Sequence, residues 1–231
     1  MMEDNLLNKD LFKSYSKYCL PVLFLIIVIL VALLLGFNNI TTNLISYSSI
    51  TDAQQISDIR YEFIGEQLLN FNTFILSCVL PIVIALLMGT YSKNNKVTAT
   101  IKNHQIFSTN IMTGTLYIVL PFLANVISYI ILLWSGFFGY HQSDALTHLL
   151  LMTVFGIALS MLTFILISMI NIALKNPIID SLLTLAIAVF VIHVFYSLPI
   201  NPIFLIFIIF FVWLALLYLS YTLTTKKKSN E

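Results

Sequence analysis

The chain has 231 residues, of which 59% are hydrophobic and only 9% charged, and its formal net charge is +1. A soluble domain carries about 25% charged residues, so this composition excludes a soluble globular fold, and no basic block points to nucleic acid. The seven glycines never precede a lysine, which excludes a phosphate-cradling loop and any nucleotide hydrolysis by the chain alone.

The N-terminus opens with Leu7, Leu11, Tyr15 and Tyr18 at helical spacing, and with Lys9, Lys13 and Lys17 on other faces. This pattern predicts a short amphipathic helix on the inner leaflet that turns into the membrane at Pro21; a disordered basic tail is the alternative. Apolar runs then follow at 20–37, 71–91, about 106–134, 146–172, 177–198 and 202–223. Each is long enough to cross a hydrocarbon core of about 30 Å as a helix. The first run is longer than a signal-peptide core and lacks the small residues of a cleavage site, so it is expected to be retained.

Residues 38–70 form the one sizeable outer segment. Its Asn/Thr/Ser-rich first half is expected to be irregular. Thr51 followed by Gln54 reads as a capping box. Beyond it Ile56, Ile59 and Phe63 make an apolar face, and Asp58, Glu62 and Glu66 an acidic stripe. This helix lies along the outer surface or leads into span two, with Arg60 paired to its flanking acids. Span two carries Thr73, Ser77, Pro81, Ala85 and Gly89 four residues apart. Lipid-embedded helices approach closely along such small-residue stripes, so span two is expected to pack inside the protein, with Pro81 kinking it.

Between spans two and three, Val97, Ile101 and Phe107 punctuate a polar stretch that holds Lys96, Lys102 and His104. This reads as a short helix at the inner surface. Asn176-Pro177 with Asp180 marks the helix start of span five. The Pro-rich link 196–202 makes a tight hairpin or a re-entrant element before span six. Phe204, Phe207, Phe210, Phe211 and Trp213 in span six suit either an amphipathic cargo or ordinary lipid contact.

Ten of the eleven Lys and Arg residues fall in alternate segments, at 9–17, 93–102, 175 and 226–228, and Arg60 alone falls in the others. Positive charge stays cytoplasmic. The reading is therefore an all-α membrane protein, a single domain over 1–231, with six transmembrane helices, both termini cytoplasmic and an N-terminal interfacial amphipathic helix.

Catalytic constellations are absent from the pattern. Cys19 and Cys78 lie at different depths and read as core packing. His141, Asp144 and His148 stand at i, i+3 and i+7 at the outer entrance to span four, with His193 near the outer end of span five. Their types suit zinc, acid sensing or an inert hydrated cluster, and no metal site is assigned. The buried polar residues expected are Asn110, Asn125, Ser128 and Asn171. Ion-coupled transporters keep ionisable groups near mid-membrane; these spans hold almost none there.

The six spans, the amphipathic elbow before span one, the helical segment between spans two and three and the compact hairpin between five and six resemble the membrane subunit of a type-2 ATP-binding-cassette exporter. The resemblance is architectural and covers the whole chain. Small separate permeases of bacteriocin-immunity and phenol-soluble-modulin exporters are similar. After span two the family shows an acid, a Gly-Thr-like pair and a Pro/Ser/Arg-type turn. Here Thr98-Ala99-Thr100 stands near the pair and Lys102-Asn103-His104 near the turn; Asn94, Asn95 and Lys96 replace the acid.

The resemblance implies a second permease subunit, identical or paralogous, and a cytoplasmic ATPase that supplies ATP and Mg. This chain itself would be no enzyme and bind no cofactor. Lys96, Val97, Thr100, Ile101, Lys102 and His104 would meet the ATPase, and an amphipathic peptide or other hydrophobic cargo would move outward across a bacterial cell membrane by alternating access. The competing readings are a membrane immunity or accessory protein that binds a toxin without moving it, the substrate-binding membrane component of a vitamin importer, and an intramembrane enzyme.

Overall fold

Helix α1 (Lys9–Tyr47) runs for 39 residues straight through Pro21. It belongs to a computed structural model that describes residues 9–94, 103–173, 183, 186 and 202–226. After it come α2 (Ala53–Arg60), a π-helical segment (Tyr61–Leu68), α3 (Leu69–Asn94), α4 (Asn103–Trp134), a 3-10 turn (Gly139–His141), α5 (Gln142–Ala173) and α6 (Pro202–Lys226). The chain is all-α, and no strand occurs among the described residues. The α1, α3, α4 and α5 columns are each long and apolar enough to cross a membrane, and α6 carries a shorter apolar stretch, Ile206–Leu216. Residues 177–198, read as span five, lie outside the described residues except for Leu183 and Ala186, as do Asn176, Pro177, Asp180 and the link up to Asn201.

Two sequence expectations about α1 are corrected. The amphipathic N-terminal segment is not a separate surface helix, because Leu11, Tyr15, Cys19 and Leu23 form one buried row that crosses Pro21. Leu11 and Tyr15 sit in a core cluster with Ile84, Met88, Tyr117 and Phe164, so their apolar face meets protein rather than lipid. A proline costs the helix one N–H bond, and this packing offsets it. Residues 38–47 are helical rather than irregular. Thr41 and Thr42 hydroxyls donate to the Phe37 and Asn38 carbonyls at 2.8 Å, and Ser46 donates to Thr42 at 2.9 Å, so the polar side chains are satisfied within the helix. At 1.5 Å per residue α1 is about 58 Å long, well beyond a bilayer core of about 30 Å.

A turn with Ser49 at φ 53° ends α1. The cap of α2 is Asp52 rather than Thr51. The Asp52 carboxylate accepts the Gln54 backbone N–H at 3.0 Å, two residues on, which satisfies a helix-start donor directly. From Ala53 to Asn94 the chain then stays helical without a break, so the surface helix leads directly into α3.

Among the described residues α3 and α5 form the most extensive interface, and α5 also packs on α4 and α6. Their contacts fix the directions. Tyr117 of α4 bonds Ser16 of α1, and further along Leu133 of α4 clusters with Leu34 of α1, so α1 and α4 run parallel. Asn70 and Ser77 of α3 meet His148 and Gly156 of α5, so this pair also runs parallel, opposite to the first. One end of the bundle therefore holds the start of α1, the end of α3, the start of α4 and the end of α5. The other end holds α2, the π-helical segment and the α4–α5 turn. Lys9, Lys13 and Lys17 are exposed at the first end, while Arg60 lies at the second.

Small residues set how close these helices come. A Cβ at Gly114 of α4 would lie 2.0 Å from Phe164 Cζ of α5. One at Gly156 of α5 would lie 2.6 Å from Phe122 Cε1 and 2.8 Å from Thr73 Cγ2. Each aromatic ring is seated where a neighbouring helix has no side chain, which is how helices gain dispersion contact in a medium as apolar as their own surfaces.

Candidate functional site

A polar seam runs through the middle of the bundle between α3, α4 and α5. The Asn72 side-chain amide donates to Asn125 Oδ1 at 3.1 Å, and both residues are buried. One helical turn further along α3, the Ser77 hydroxyl donates to the Thr73 carbonyl at 2.7 Å, with the Gly156 carbonyl of α5 at 3.4 Å. Ser160 of α5 donates to its own Gly156 carbonyl at 2.7 Å and lies 3.2 Å from the Leu76 carbonyl. The small-residue row Thr73, Ser77, Pro81, Ala85 and Gly89 is buried throughout. Pro81 has no N–H to return to the Ser77 carbonyl, so α3 lacks that one helical bond where it borders the seam.

The seam is built from hydroxyls and amides. Among the described residues the buried polar side chains are Thr, Ser and Asn, and no Asp, Glu, Lys, Arg or His is buried. Of the residues expected here, Asn110 and Asn125 are buried and Ser128 is half-buried, while the side chain of Asn171 lies outside the described residues. Asn72 was not among them, although it is the partner of Asn125. Cys19 and Cys78 are both free and buried.

Between α5 and α6 an apolar cleft of about 380 Å³ is lined by Ile157, Met161, Phe207, Phe210 and Trp213 among others. Phe210 and Trp213 stack at 5.9 Å within it, so three of the span-six aromatics, Phe207, Phe210 and Trp213, line a cleft, whereas Phe204 and Phe211 lie outside it.

At the end of the bundle that holds α2, the α4–α5 turn is tied down by several bonds. The buried Ser57 hydroxyl donates to the Phe138 carbonyl at 2.5 Å and accepts the Tyr140 N–H at 2.9 Å. Arg60 Nη1 donates to the Phe137 carbonyl at 3.2 Å, and its guanidinium lies 4.6 Å from the Phe137 ring centroid. That bond replaces the expected pairing of Arg60 with its flanking acids. Tyr129 donates to the Ile64 carbonyl in the π-helical segment at 3.1 Å.

The predicted His141, Asp144 and His148 set divides here. His141 Nδ1 lies 3.1 Å from Asp144 Oδ2, as the spacing anticipates, and its Nε2 lies 2.7 Å from Asp58 Oδ1 of α2. His148 turns instead to Asn70 Oδ1 at 3.0 Å, and His193 lies outside the described residues. The two ring nitrogens of His141 face different carboxylates, so the oxygens do not converge, and no group that could hold a metal occurs among the described residues. His141 precedes the apolar part of α5. Its hydrogen bond to Asp58, and then that to Asp144, raise its pKa above the usual 6.5.

Lys96, Val97, Thr100, Ile101 and Lys102 lie outside the described residues, and His104 is described only as a backbone position in α4. What the structure fixes is the frame: the segment joins the C-terminal end of α3 to the N-terminal end of α4. No known protein family, curated protein or solved structure matches the chain significantly.

Proposed function

We propose that this chain is the transmembrane subunit of an ATP-driven exporter of the type-2 ATP-binding-cassette kind, with six spans and both termini in the cytoplasm of a bacterium. The observation that carries the reading is the chemistry of the bundle interior: among the described residues its buried polar groups are hydroxyls and amides alone. Ion-coupled carriers commonly keep a titratable or charged group within the membrane, and the chain has no phosphate-cradling loop with which to use a nucleotide. Both features favour a partner as the source of the work.

The place for it to enter is the segment 95–102, at the end of the bundle where Lys9, Lys13 and Lys17 are exposed. Lys96, Val97, Thr100, Ile101, Lys102 and His104 form the proposed ATPase contact. A displacement there acts on α3 and α4 together, and both border the seam on α5. ATP shifts such a permease between two states only through contacts that differ between them. The cargo that suits the exterior of the bundle is an amphipathic peptide or another hydrophobic molecule, and a second permease subunit completes the path.

The test is a pull-down of the full-length protein in mild detergent from its native membrane, with mass spectrometry and an ATPase assay on the eluate. The reading expects a stoichiometric cytoplasmic ATPase that is lost from the Val97→Glu/Ile101→Glu variant while that variant remains inserted. An intact, monodisperse protein without any ATPase overturns it in favour of a toxin-binding immunity protein or an importer component. ATPase binding that survives the double substitution removes the docking assignment alone.

A further inference from the structure

The transport reading leaves the His141 cluster unused, and its geometry has a chemical consequence. His141 stands in the 3-10 turn just before α5. Its Nε2 is 2.7 Å from Asp58 Oδ1 on α2, and its Nδ1 is 3.1 Å from Asp144 Oδ2 on α5. The Tyr61 ring stacks on the imidazole at 4.8 Å and 22°. A neutral imidazole has one N–H and one lone pair. Between two carboxylates it can donate to one and must turn its lone pair toward the other. Only the imidazolium donates to both.

The other charged groups around the ring do not supply that second donor. Arg60, on α2 beside Asp58, is committed to the Phe137 carbonyl and ring. His148, on α5, bonds Asn70. Glu66, in the π-helical segment, acts on Tyr61 through its charge. Loss of the His141 proton therefore leaves Asp58 and Asp144 facing one another across a ring that can hold only one of them.

We propose that His141 is a proton-operated latch that clamps α2 to the start of α5 when protonated and frees that corner when it loses its proton. The bonds from Ser57 and Arg60 to the α4–α5 turn involve groups that do not change charge near neutral pH, so release loosens one corner and leaves α2 attached. α2 continues through the π-helical segment into α3, so the latch acts on a helix that borders the central seam. The raised pKa of His141, set first by Asp58 and then by Asp144, places release above about pH 6.5. The latch does not depend on what the protein transports.

The test uses the full-length protein in lipid nanodiscs, with spin labels at the exposed positions Gln55 on α2 and Thr147 on α5, and pulsed distance measurements from about pH 5.5 to about pH 8.5. The expected result is one narrow distance at the acid end and a longer, broader distribution at the alkaline end. His141→Gln should give the alkaline distribution at every pH. Asp58→Asn, which keeps size and removes charge, should shift the midpoint down toward about 6.5. A wild-type distribution that does not change with pH overturns the latch. So does a His141→Gln protein that keeps the wild-type response. If His141→Gln does not fold, the midpoint in Asp58→Asn decides, and a midpoint unchanged from wild type overturns the assignment.

Discussion

Asn72 of α3 and Asn125 of α4 share a buried hydrogen bond of 3.1 Å, and Asn72 Oδ1 has no partner of its own among the described residues. The bond therefore ties two helices together with amide capacity to spare. Hydrogen bonds between helices in membranes contribute about 0.6 kcal/mol on average, but removing one partner strands the other in an apolar medium at a cost of about 1–3 kcal/mol. Asn72→Leu or Asn125→Leu alone is expected to destabilise by about that larger amount. The double Leu variant, with no stranded amide, is expected to be no less stable than either single one. Thermal denaturation in detergent followed by size exclusion measures all three. Strictly additive losses would show that the two residues do not act as a pair.

Gly114 and Gly36 offer a contrast within one fold. A Cβ at Gly114 would lie 2.0 Å from Phe164 Cζ, whereas nothing lies within 4 Å of one at Gly36. Gly114→Leu forces α4 and α5 apart, and overpacking of this kind costs about 1–3 kcal/mol or more. Gly36→Ala removes a glycine from an exposed stretch of α1 and is expected to stabilise by up to about 1 kcal/mol through helix propensity. Equal effects of the two substitutions on the melting temperature would contradict the packing of Phe164 against α4.

Local signals carried part of this structure and tertiary pairing the rest. The apolar runs at 71–91, 106–134 and 146–172 coincide with α3, α4 and α5 because length and hydropathy are properties of the run itself. The breaks expected at Pro21 and across 38–47 come from local residue preferences. Packing of the row Leu11, Tyr15, Cys19 and Leu23 carries the helix through Pro21, and across 38–47 the Thr41, Thr42 and Ser46 hydroxyls bond back into the helix. The Asp144 contact of His141 was legible from i, i+3 spacing. Its Asp58 contact spans 83 positions and had only an indirect sign, the acidic stripe Asp58, Glu62 and Glu66 on the preceding helix. The Asn72–Asn125 pair was half visible for the same reason: a polar residue in an apolar run is easy to find, and its partner across a helix interface is not.

Arg60 is expected to resist exchange for lysine. Its Nη1 reaches the Phe137 carbonyl at 3.2 Å while the guanidinium plane covers the Phe137 ring at 4.6 Å. An ammonium group is a compact point charge and cannot fill both roles at once. Arg60→Ala is expected to cost about 1 kcal/mol or more, and Arg60→Lys a substantial fraction of it. Limited proteolysis of the α4–α5 turn, around Ser135–Tyr140, is the local readout. Cleavage should speed up in both variants, and an unchanged rate in Arg60→Lys would show that charge alone is sufficient.

The raised pKa of His141 also predicts how stability depends on pH. The folded protein holds the His141 proton more tightly than the unfolded chain, through Asp58 first and Asp144 second. Between about pH 6.5 and the higher folded-state value the folded state therefore binds more protons, and stability falls as pH rises. The contribution is fully present below about 6.5, as long as the carboxylates stay ionised, and is gone above the folded value. His141 is exposed enough, at 30% of its side-chain surface, for water and salt to weaken both bonds. The expected signature is thus a modest drop in melting temperature from about pH 6 to about pH 8.5, smaller at high salt. His141→Gln should flatten this part of the profile, and Asp58→Asn should narrow the pH range over which the drop occurs. A wild-type profile that rises across the window would place the controlling proton on a different group.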